Sequence, residues 1–253
     1  MQIDLNSDMG ESFGAWRMGD DLALLEHVSS ANIACGFHAG DPATMAQTVR
    51  AAAERGVAIG AHPSLPDLQG FGRRSMQVSE AEAYGFTVYQ VGALQAFATA
   101  AGTRLRHVKA HGALYNMAAR DAKLSGALCR AVRDVDASLV VFALAGSVMV
   151  EVARDLGLRV AEEVFADRSY QDDGSLTPRS HPQAMITDLD QSIAQVQRML
   201  REGFVRSLNG HDVSIKPDTI CLHGDQPGAA TFARALRARL VDDGVTIRAP
   251  GNP

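Results

Sequence analysis

Residues 31–61 read ANIACGFHAGDPATMAQTVRAAAERGVAIGA, and this stretch contains one complete strand–helix–strand unit. Short apolar runs at both ends have the length of buried strands, whereas residues 41–55 have the spacing of an amphipathic helix. Asp41 precedes a proline, a common helix start in which aspartate caps the first turn and proline occupies the first helical position. Gly56 follows the helix, where a left-handed cap favours glycine. The unit therefore predicts two parallel strands joined by a helix.

The same alternation continues along the whole chain. Six amphipathic stretches predict helices, at residues 41–55, 79–101, 118–135, 147–156, 187–202 and 227–241. Seven apolar runs predict strands, at residues 2–5, 31–35, 57–61, 108–110, 139–144, 160–165 and 219–222. No Gly/Ser-rich linker divides the sequence, so we expect one domain over residues 1–253. This order predicts an α/β fold with parallel strands but leaves a closed barrel and an open doubly wound sheet as alternatives.

Composition excludes several classes of function. The 253 residues are 46% hydrophobic with a net charge of -5, and no cluster of lysine and arginine indicates a nucleic-acid binder. The N-terminus lacks the basic and apolar regions of a signal peptide. The longest apolar run is far below the roughly 20 residues of a membrane helix. We therefore expect a soluble, cytoplasmic protein without membrane contact. Its three cysteines show no metal-site spacing, and Cys35 and Cys221 are predicted to be small buried side chains.

Polar side chains cluster where the predicted strands end. Asp4, Asn6 and Asp8 share one face if the first strand continues. Four of the eight histidines lie at or just past strand ends, whereas His107 and the other three have no such placement and are predicted to be ordinary residues. Each polar residue taken alone could be a satisfied loop residue or a helix cap. Because the carboxyl ends of barrel strands converge on one face, we expect one pocket formed by Asp8, His38, His62, Lys109, His111, Asp167 and His223.

Lys109 stands out because the chain has only three lysines. An ammonium on a strand could hold a substrate carboxylate or phosphoryl oxygen, act as an acid or base, or form a buried structural ion pair. Residues 65–75 and 167–179 contain glycines and arginines and are predicted to form basic loops over the pocket. Asp41 is best explained as a helix cap, and for Asp225 a turn-organising role and a functional role remain open.

Familiar local motifs are absent. The sequence contains no GxxxxGK[ST] phosphate loop, no GxSxG elbow, no HExxH and no GxGxxG after the first strand. A divalent ion could still be held by Asp8, His38, His62 or His223, since barrel ligands come from different strands. The spacing gives no support for such a site, and we expect no tightly bound metal.

Seven segments, taken in order, resemble the LamB/YcsF family, the A subunits of prokaryotic ATP-dependent 5-oxoprolinases. These segments are DLNSDMGE at 4–11, NIACGFHAGD at 32–41, GAHPS at 60–64, GFGRR at 70–74, KAHGALYN at 109–116, FADRSY at 165–170 and HGD at 223–225. The resemblance implies a distorted seven-stranded (β/α) barrel related to glycoside hydrolases and deacetylases. To the pocket residues above it adds substrate-binding candidates, which are Asn6, Glu11, Arg168, Tyr170, Arg179 and Asp225.

The resemblance also implies an activity, the opening of 5-oxoproline to L-glutamate with hydrolysis of ATP, expected as its Mg²⁺ complex, together with two partner subunits, B and C. Since no phosphate loop is present, ATP would bind either at a non-standard site on this chain or mainly on a partner. Two alternatives stay open. The chain could be a metal-dependent deacetylase or hydrolase acting on a carbohydrate, or a non-catalytic component that presents substrate to its partners.

Overall fold

A computed structural model describes residues 1–223 and 228–251. Its strands are β1 (Gln2–Met9), β2 (Ser30–Ala34), β3 (Ala58–His62), β4 (Leu105–Lys109), β5 (Val140–Leu144), β6 (Arg159–Phe165), β7 (Phe204–Arg206), β8 (Asp212–Ser214), β9 (Thr219–Leu222) and β10 (Thr246–Ile247). Seven of them pair in the order β1-β2-β3-β4-β5-β6-β9, all parallel. Strand β9 also pairs with β1, which closes the barrel. The structure thus confirms the predicted seven-stranded barrel and excludes the open sheet.

Helices cover the outside of the barrel. They are α1 (Asp21–Leu25), α2 (Pro42–Glu54), α3 (Glu80–Ala100), α4 (Gly112–Ala118), α5 (Ala122–Asp136), α6 (Val148–Asp155), α7 (Leu189–Glu202) and α8 (Ala229–Asp242). The Asp41 carboxylate accepts the Thr44 N–H at 2.8 Å, which confirms the predicted cap of α2. Ser79 and Glu82 cap α3 reciprocally. Within the described residues, no helix is both long and apolar enough to cross a membrane.

The predicted helix at 118–135 is confirmed as α5, but it begins at Ala122 and not at Ala118, and the short helix α4 that precedes it was not predicted. Helix α4 ends at Ala118, and the side chain of Asp121 then accepts the backbone N–H groups of Lys123 and Leu124, which starts α5 as a new helix. The prediction also omitted α1, the antiparallel β7–β8 pair and the short edge strand β10. These elements have few residues, and their periodicity is too short to stand out in sequence.

The interior of the barrel is polar. Asp4 accepts hydrogen bonds from Ser29, Ser30 and Thr219 at 2.6–2.8 Å, and Asn6 accepts one from Asn32 at 2.7 Å. These side chains alternate along their strands with apolar residues such as Leu5 and Ile33, which pack against the helices. This hydrogen-bonded network holds the inner side chains of the barrel in place. The next inward-facing residues of the same strands, such as Asp8, lie nearer the carboxyl ends of the strands.

Candidate functional site

A cavity of about 440 Å³ opens at the carboxyl ends of the barrel strands. Its walls combine residues from the strand ends with residues of the two loops predicted to cover the pocket. Several predicted site residues line it directly, namely Asp8, His62, Lys109, His111, Arg168, Arg179 and His223. The remaining described candidates lie behind this wall, and they are Asn6, Glu11, His38, Asp167 and Tyr170. Asp225 lies outside the described residues.

Lys109 occupies the floor of the cavity, where only 3% of its surface is exposed. Its Nζ lies 2.9 Å from both Asp8 Oδ1 and Glu163 Oε1, and 3.0 Å from Cys221 Sγ. Burial alone would lower the pKa of this ammonium, but the two carboxylates hold it well above the usual value. Lys109 therefore forms the buried ion pair that the sequence left as one alternative, and it also reaches the cavity surface.

Asp8 connects Lys109 to the histidines. Its Oδ2 lies 3.3 Å from His62 Nε2, and its Oδ1 accepts the Asn32 side-chain amide at 2.9 Å. Burial by itself would raise the pKa of Asp8, but His62 and Lys109 hold it well below the usual value. Asp8 is thus kept as a carboxylate at the cavity wall.

Three imidazoles lie together beside Asp8. His62 Nε2 and His111 Nδ1 are 2.9 Å apart, with their ring planes at 86°. The ring of His38 stacks on that of His111 at 3.8 Å, and His38 Nε2 lies 3.4 Å from Glu11 Oε1. Burial lowers the pKa of His38 and of His111 well below the ordinary value, so both rings are neutral.

Asp167 and His223 form a second acidic–basic pair close to Asp8, since ligand atoms of His223 and Asp8 lie within 4.8 Å of each other. His223 Nδ1 donates to Asp167 Oδ2 at 2.8 Å, and the His223 backbone N–H donates to the same carboxylate at 3.1 Å. Burial opposes ionisation of Asp167, yet His223 and its hydrogen bonds lower the pKa of the carboxyl below its usual value. With Nδ1 engaged, His223 has Nε2 available for the cavity that it lines.

The loop at residues 167–179 was expected to bind an anionic substrate through its arginines. In the structure its side chains have different roles. The Arg168 guanidinium is buried and donates to the backbone carbonyls of Ala184 and Thr177, so it fastens the loop while lining the cavity. The Tyr170 hydroxyl accepts the Phe165 backbone N–H and lies away from the cavity. Arg179 is exposed at the rim, where its Nη1 lies 3.5 Å from Met185 Sδ.

Sequence reasoning missed three inward-facing residues. Glu163 and Cys221 both contact Lys109. His107, predicted to be ordinary, donates its Nε2–H to Asn32 Oδ1 at 2.7 Å inside the barrel. His107 lies two residues before Lys109, and Glu163 two residues before a cavity-lining phenylalanine. The period of 2 along a strand places each pair on one face, and that period was the signal that could have found them.

Among the described residues, two groups of side chains have the chemistry and spacing to hold a metal ion. Glu11, His38, His62 and His111 form one group, and Asp8, Cys221 and His223 form the other. In each group the candidate ligand atoms all lie within 4.8 Å of one another. The expectation of no tightly bound metal rested on local spacing alone, and it stays a prediction, because ligands from separate strands leave no local motif.

Comparison with known proteins identifies the family. A sequence profile of the LamB/YcsF family matches residues 3–252. The chain belongs to the LamB/YcsF family. It is 65% identical to a Bordetella pertussis protein named as the A subunit of 5-oxoprolinase, over 98% of both chains. It is 57% identical to the Bacillus subtilis protein of the same name, over 98% of this chain and 96% of that one.

Solved structures agree with this LamB/YcsF assignment. The crystal structure of a lactam utilization protein from Thermus thermophilus superposes with a TM-score of 0.92 and 47% identity, covering 98% of this chain and all of that one. The cavity and its walls are therefore built on a backbone shared with another protein of closely similar fold and sequence.

Proposed function

We propose that this chain is the A subunit of an ATP-dependent 5-oxoprolinase, which opens 5-oxo-L-proline to L-glutamate together with B and C subunits. The observation that carries the proposal is 65% identity, over 98% of both chains, to a protein named as the A subunit of 5-oxoprolinase. That relative is named as one subunit of an enzyme, which supports the existence of partner chains. The Thermus protein is named for lactam utilization, which supports a cyclic amide as substrate.

The cavity suits a small anionic lactam. Its volume of about 440 Å³ is within the range of small-molecule sites. Arg73, Arg120 and Arg179 line its entrance, and a guanidinium binds a carboxylate through two parallel hydrogen bonds. In this proposal the rim arginines hold the substrate carboxylate, and the amide faces the Asp8, Lys109 and His223 side chains below.

The reaction needs coupling because an unstrained amide is a poor electrophile. In the proposed sequence the γ-phosphoryl group of ATP moves to the lactam oxygen and ADP leaves. A water molecule adds to the carbonyl carbon, the ring C–N bond breaks, and the nitrogen takes a proton to become the amine. The product of that step is a γ-carboxyl phosphate, which a second water hydrolyses to glutamate and phosphate. One ATP and two waters are consumed.

The proton transfers are assigned to the Asp167–His223 pair. Asp167 orients the ring and stabilises its protonated form, as a carboxylate does beside a catalytic imidazole. His223 takes a proton from the attacking water and returns it to the leaving nitrogen. Lys109 supplies positive charge near the phosphorylated lactam oxygen and keeps Asp8 ionised. We infer that ATP, with Mg²⁺, binds mainly on a partner chain, since the sequence contains no phosphate loop.

Reconstitution tests this proposal. Glutamate release from 5-oxo-L-proline is measured for the purified chain alone and for the chain mixed with purified B and C subunits, with and without ATP. We expect turnover only in the complete mixture with ATP. Turnover by the chain alone would contradict the role of the partners. Absence of turnover from a correctly assembled complex would contradict the assigned reaction and favour a hydrolase acting on another substrate.

The non-catalytic alternative is tested in the same assay. A His223→Gln chain is mixed with B and C and compared with His181→Gln, in which the altered histidine is exposed and away from the cavity. If the chain only presents substrate, His223→Gln should raise the substrate concentration needed for half-maximal rate without lowering the maximal rate. We expect the maximal rate itself to fall.

A further inference from the structure

Two backbone carbonyls fix the tautomers of His62 and His111. His62 Nδ1 lies 2.7 Å from the Lys109 carbonyl oxygen, and His111 Nε2 lies 2.9 Å from the Phe71 carbonyl oxygen. A carbonyl only accepts hydrogen bonds, so each of these nitrogens carries the ring proton. In neutral rings the other two nitrogens, His62 Nε2 and His111 Nδ1, are therefore unprotonated.

When both rings are neutral, these two unprotonated nitrogens face each other at 2.9 Å. Two lone pairs at this distance repel unless a cation lies between or beside them. The ring planes lie at 86° to each other, so the two rings are not stacked. Glu11 Oε1 lies 3.6 Å from His111 Nδ1. A carboxylate oxygen of Glu11 and a ring nitrogen of His62 also lie within 4.8 Å of each other, which adds an anionic ligand to the pair of imidazoles.

We propose that Glu11, His62 and His111 bind one divalent transition-metal ion, with an open coordination position toward the cavity. Two histidines and one glutamate form a well-known ligand set for zinc sites that keep a position for water or substrate. At Zn–N lengths of about 2.0–2.1 Å, neighbouring ligands of a tetrahedral site lie about 3.3 Å apart, close to the separations seen here. His62 and His111 line the cavity, so an ion that they hold lies at the cavity wall.

The surroundings match those of metal-bound histidines. A ligating histidine usually donates its second ring N–H to a backbone carbonyl or carboxylate, and both rings do so here. Asp8, Glu11 and Glu163 share this end of the barrel, and Lys109 is the buried ammonium among them, so a divalent cation would reduce the excess of negative charge.

His38 supports the site without ligating. Its ring lies parallel to that of His111, at an interplanar angle of 6° and a centroid distance of 3.8 Å. An ion in the plane of one of two stacked rings lies well out of the plane of the other, so the two rings are poorly placed to share it. His38 instead packs against His111 and holds its orientation, with Nε2 3.4 Å from Glu11 Oε1.

Metal uptake by the full chain tests the proposal without any activity assay, so its outcome is independent of the proposed 5-oxoprolinase function. The chain is treated with chelator, dialysed, and titrated with Co²⁺ and Zn²⁺ by calorimetry. We expect one ion per chain. His111→Gln and Glu11→Gln should weaken binding at least about 10-fold, the scale of losses seen even for outer-shell changes. Glu54→Gln, an exposed change on α2, should bind like the wild type.

The Co²⁺ spectrum of the wild type keeps the test decisive if a variant fails to fold. Binding at Glu11, His62 and His111 gives visible bands of a low-coordinate ion without a thiolate charge-transfer band. A strong thiolate band would assign the ion to the group containing Cys221 and overturn the proposal. Absence of stoichiometric uptake would also overturn it, and would mean that the two imidazoles share a proton instead.

Discussion

The ammonium of Lys109 lies 2.9 Å from a carboxylate oxygen of Glu163, and both side chains are buried beneath the cavity. The same ammonium lies 2.9 Å from Asp8. The single positive charge of Lys109 thus offsets part of the negative charge of two buried carboxylates, Asp8 of β1 and Glu163 of β6. In a low-dielectric interior, removal of one partner leaves the other charges uncompensated, which makes this lysine important for the fold as well as for the proposed chemistry.

Replacement of Lys109 should therefore cost stability. We expect Lys109→Met to lower the free energy of unfolding by about 3–5 kcal/mol, as for other broken buried ion pairs, and to abolish turnover in the reconstituted mixture. Urea denaturation followed by circular dichroism measures the first effect. Lys123→Met, at an exposed position of α5, is the matched control and should change stability by less than about 0.5 kcal/mol. Equal stability of the two variants would contradict the structural role.

The Asp167–His223 pair should behave as one functional unit. Asp167→Asn replaces an oxygen acceptor of the His223 Nδ1–H, and His223→Gln removes the base, so each should lower the maximal rate roughly 10²–10⁴-fold. The double variant should be no slower than the slower single variant, because both changes remove the same proton transfer. Independent, multiplicative losses in the reconstituted assay would show that the two residues act separately.

The carboxyl of Asp4 should make stability depend on pH. Burial raises its pKa to about 6 from 3.8, against hydrogen bonds from Ser29 and Thr219 that lower it. At a pH between these two pKa values, the Asp4 carboxyl is therefore protonated in the folded state and ionised in the unfolded chain. The free energy of unfolding should fall as pH rises through this interval, by on the order of 3 kcal/mol in total.

Urea midpoints measured between these two pKa values check the dependence. Asp4→Asn should flatten the slope, because its side chain does not titrate. Asp155→Asn, at an exposed position of α6, should keep the wild-type slope. An Asp4→Asn chain with an unchanged slope would assign the dependence to another buried group.

Gly60 makes room for a histidine inside the barrel. A Cβ at this position would overlap the imidazole of His107, which is stacked on Phe142 at 4.1 Å. We expect Gly60→Ala to lower stability by about 1–3 kcal/mol, the usual cost of overfilling a packed interior. Gly92→Ala on α3 is the control, since its Cβ meets open space and alanine favours helix. Thermal melting should therefore rise slightly for Gly92→Ala and fall for Gly60→Ala.

Much of the fold could be predicted because most barrel strands contain a short apolar run, and glycine follows the helices before β3, β4 and β6. The predicted strand at 219–222 has the bounds of β9, and the others differ by a few residues at their ends. Closure of the barrel did not follow from the order of elements, because it depends on the pairing of β1 with β9 across most of the chain. Distant pairing of this kind leaves no local pattern.

The candidate site was only partly predictable for a related reason. Histidines after strands are conspicuous, and the structure brings His62, His111 and His223 to one cavity. Glu163 and Cys221 lie within predicted strands, where the apolar neighbours hide them, and their contact with Lys109 joins residues from three strands. A charged side chain inside a strand needs buried partners of opposite charge. The position of Lys109 in a predicted strand could therefore have indicated that a second carboxylate, besides Asp8, lies next to it.

A structure of the three-subunit complex bound to 5-oxo-L-proline would show whether the lactam opens in this cavity. We expect the lactam amide within hydrogen-bond distance of His223 or Asp8, with its carboxylate at the arginines of the rim. A lactam bound wholly on the B or C subunit, with this cavity occupied only by solvent, would contradict it.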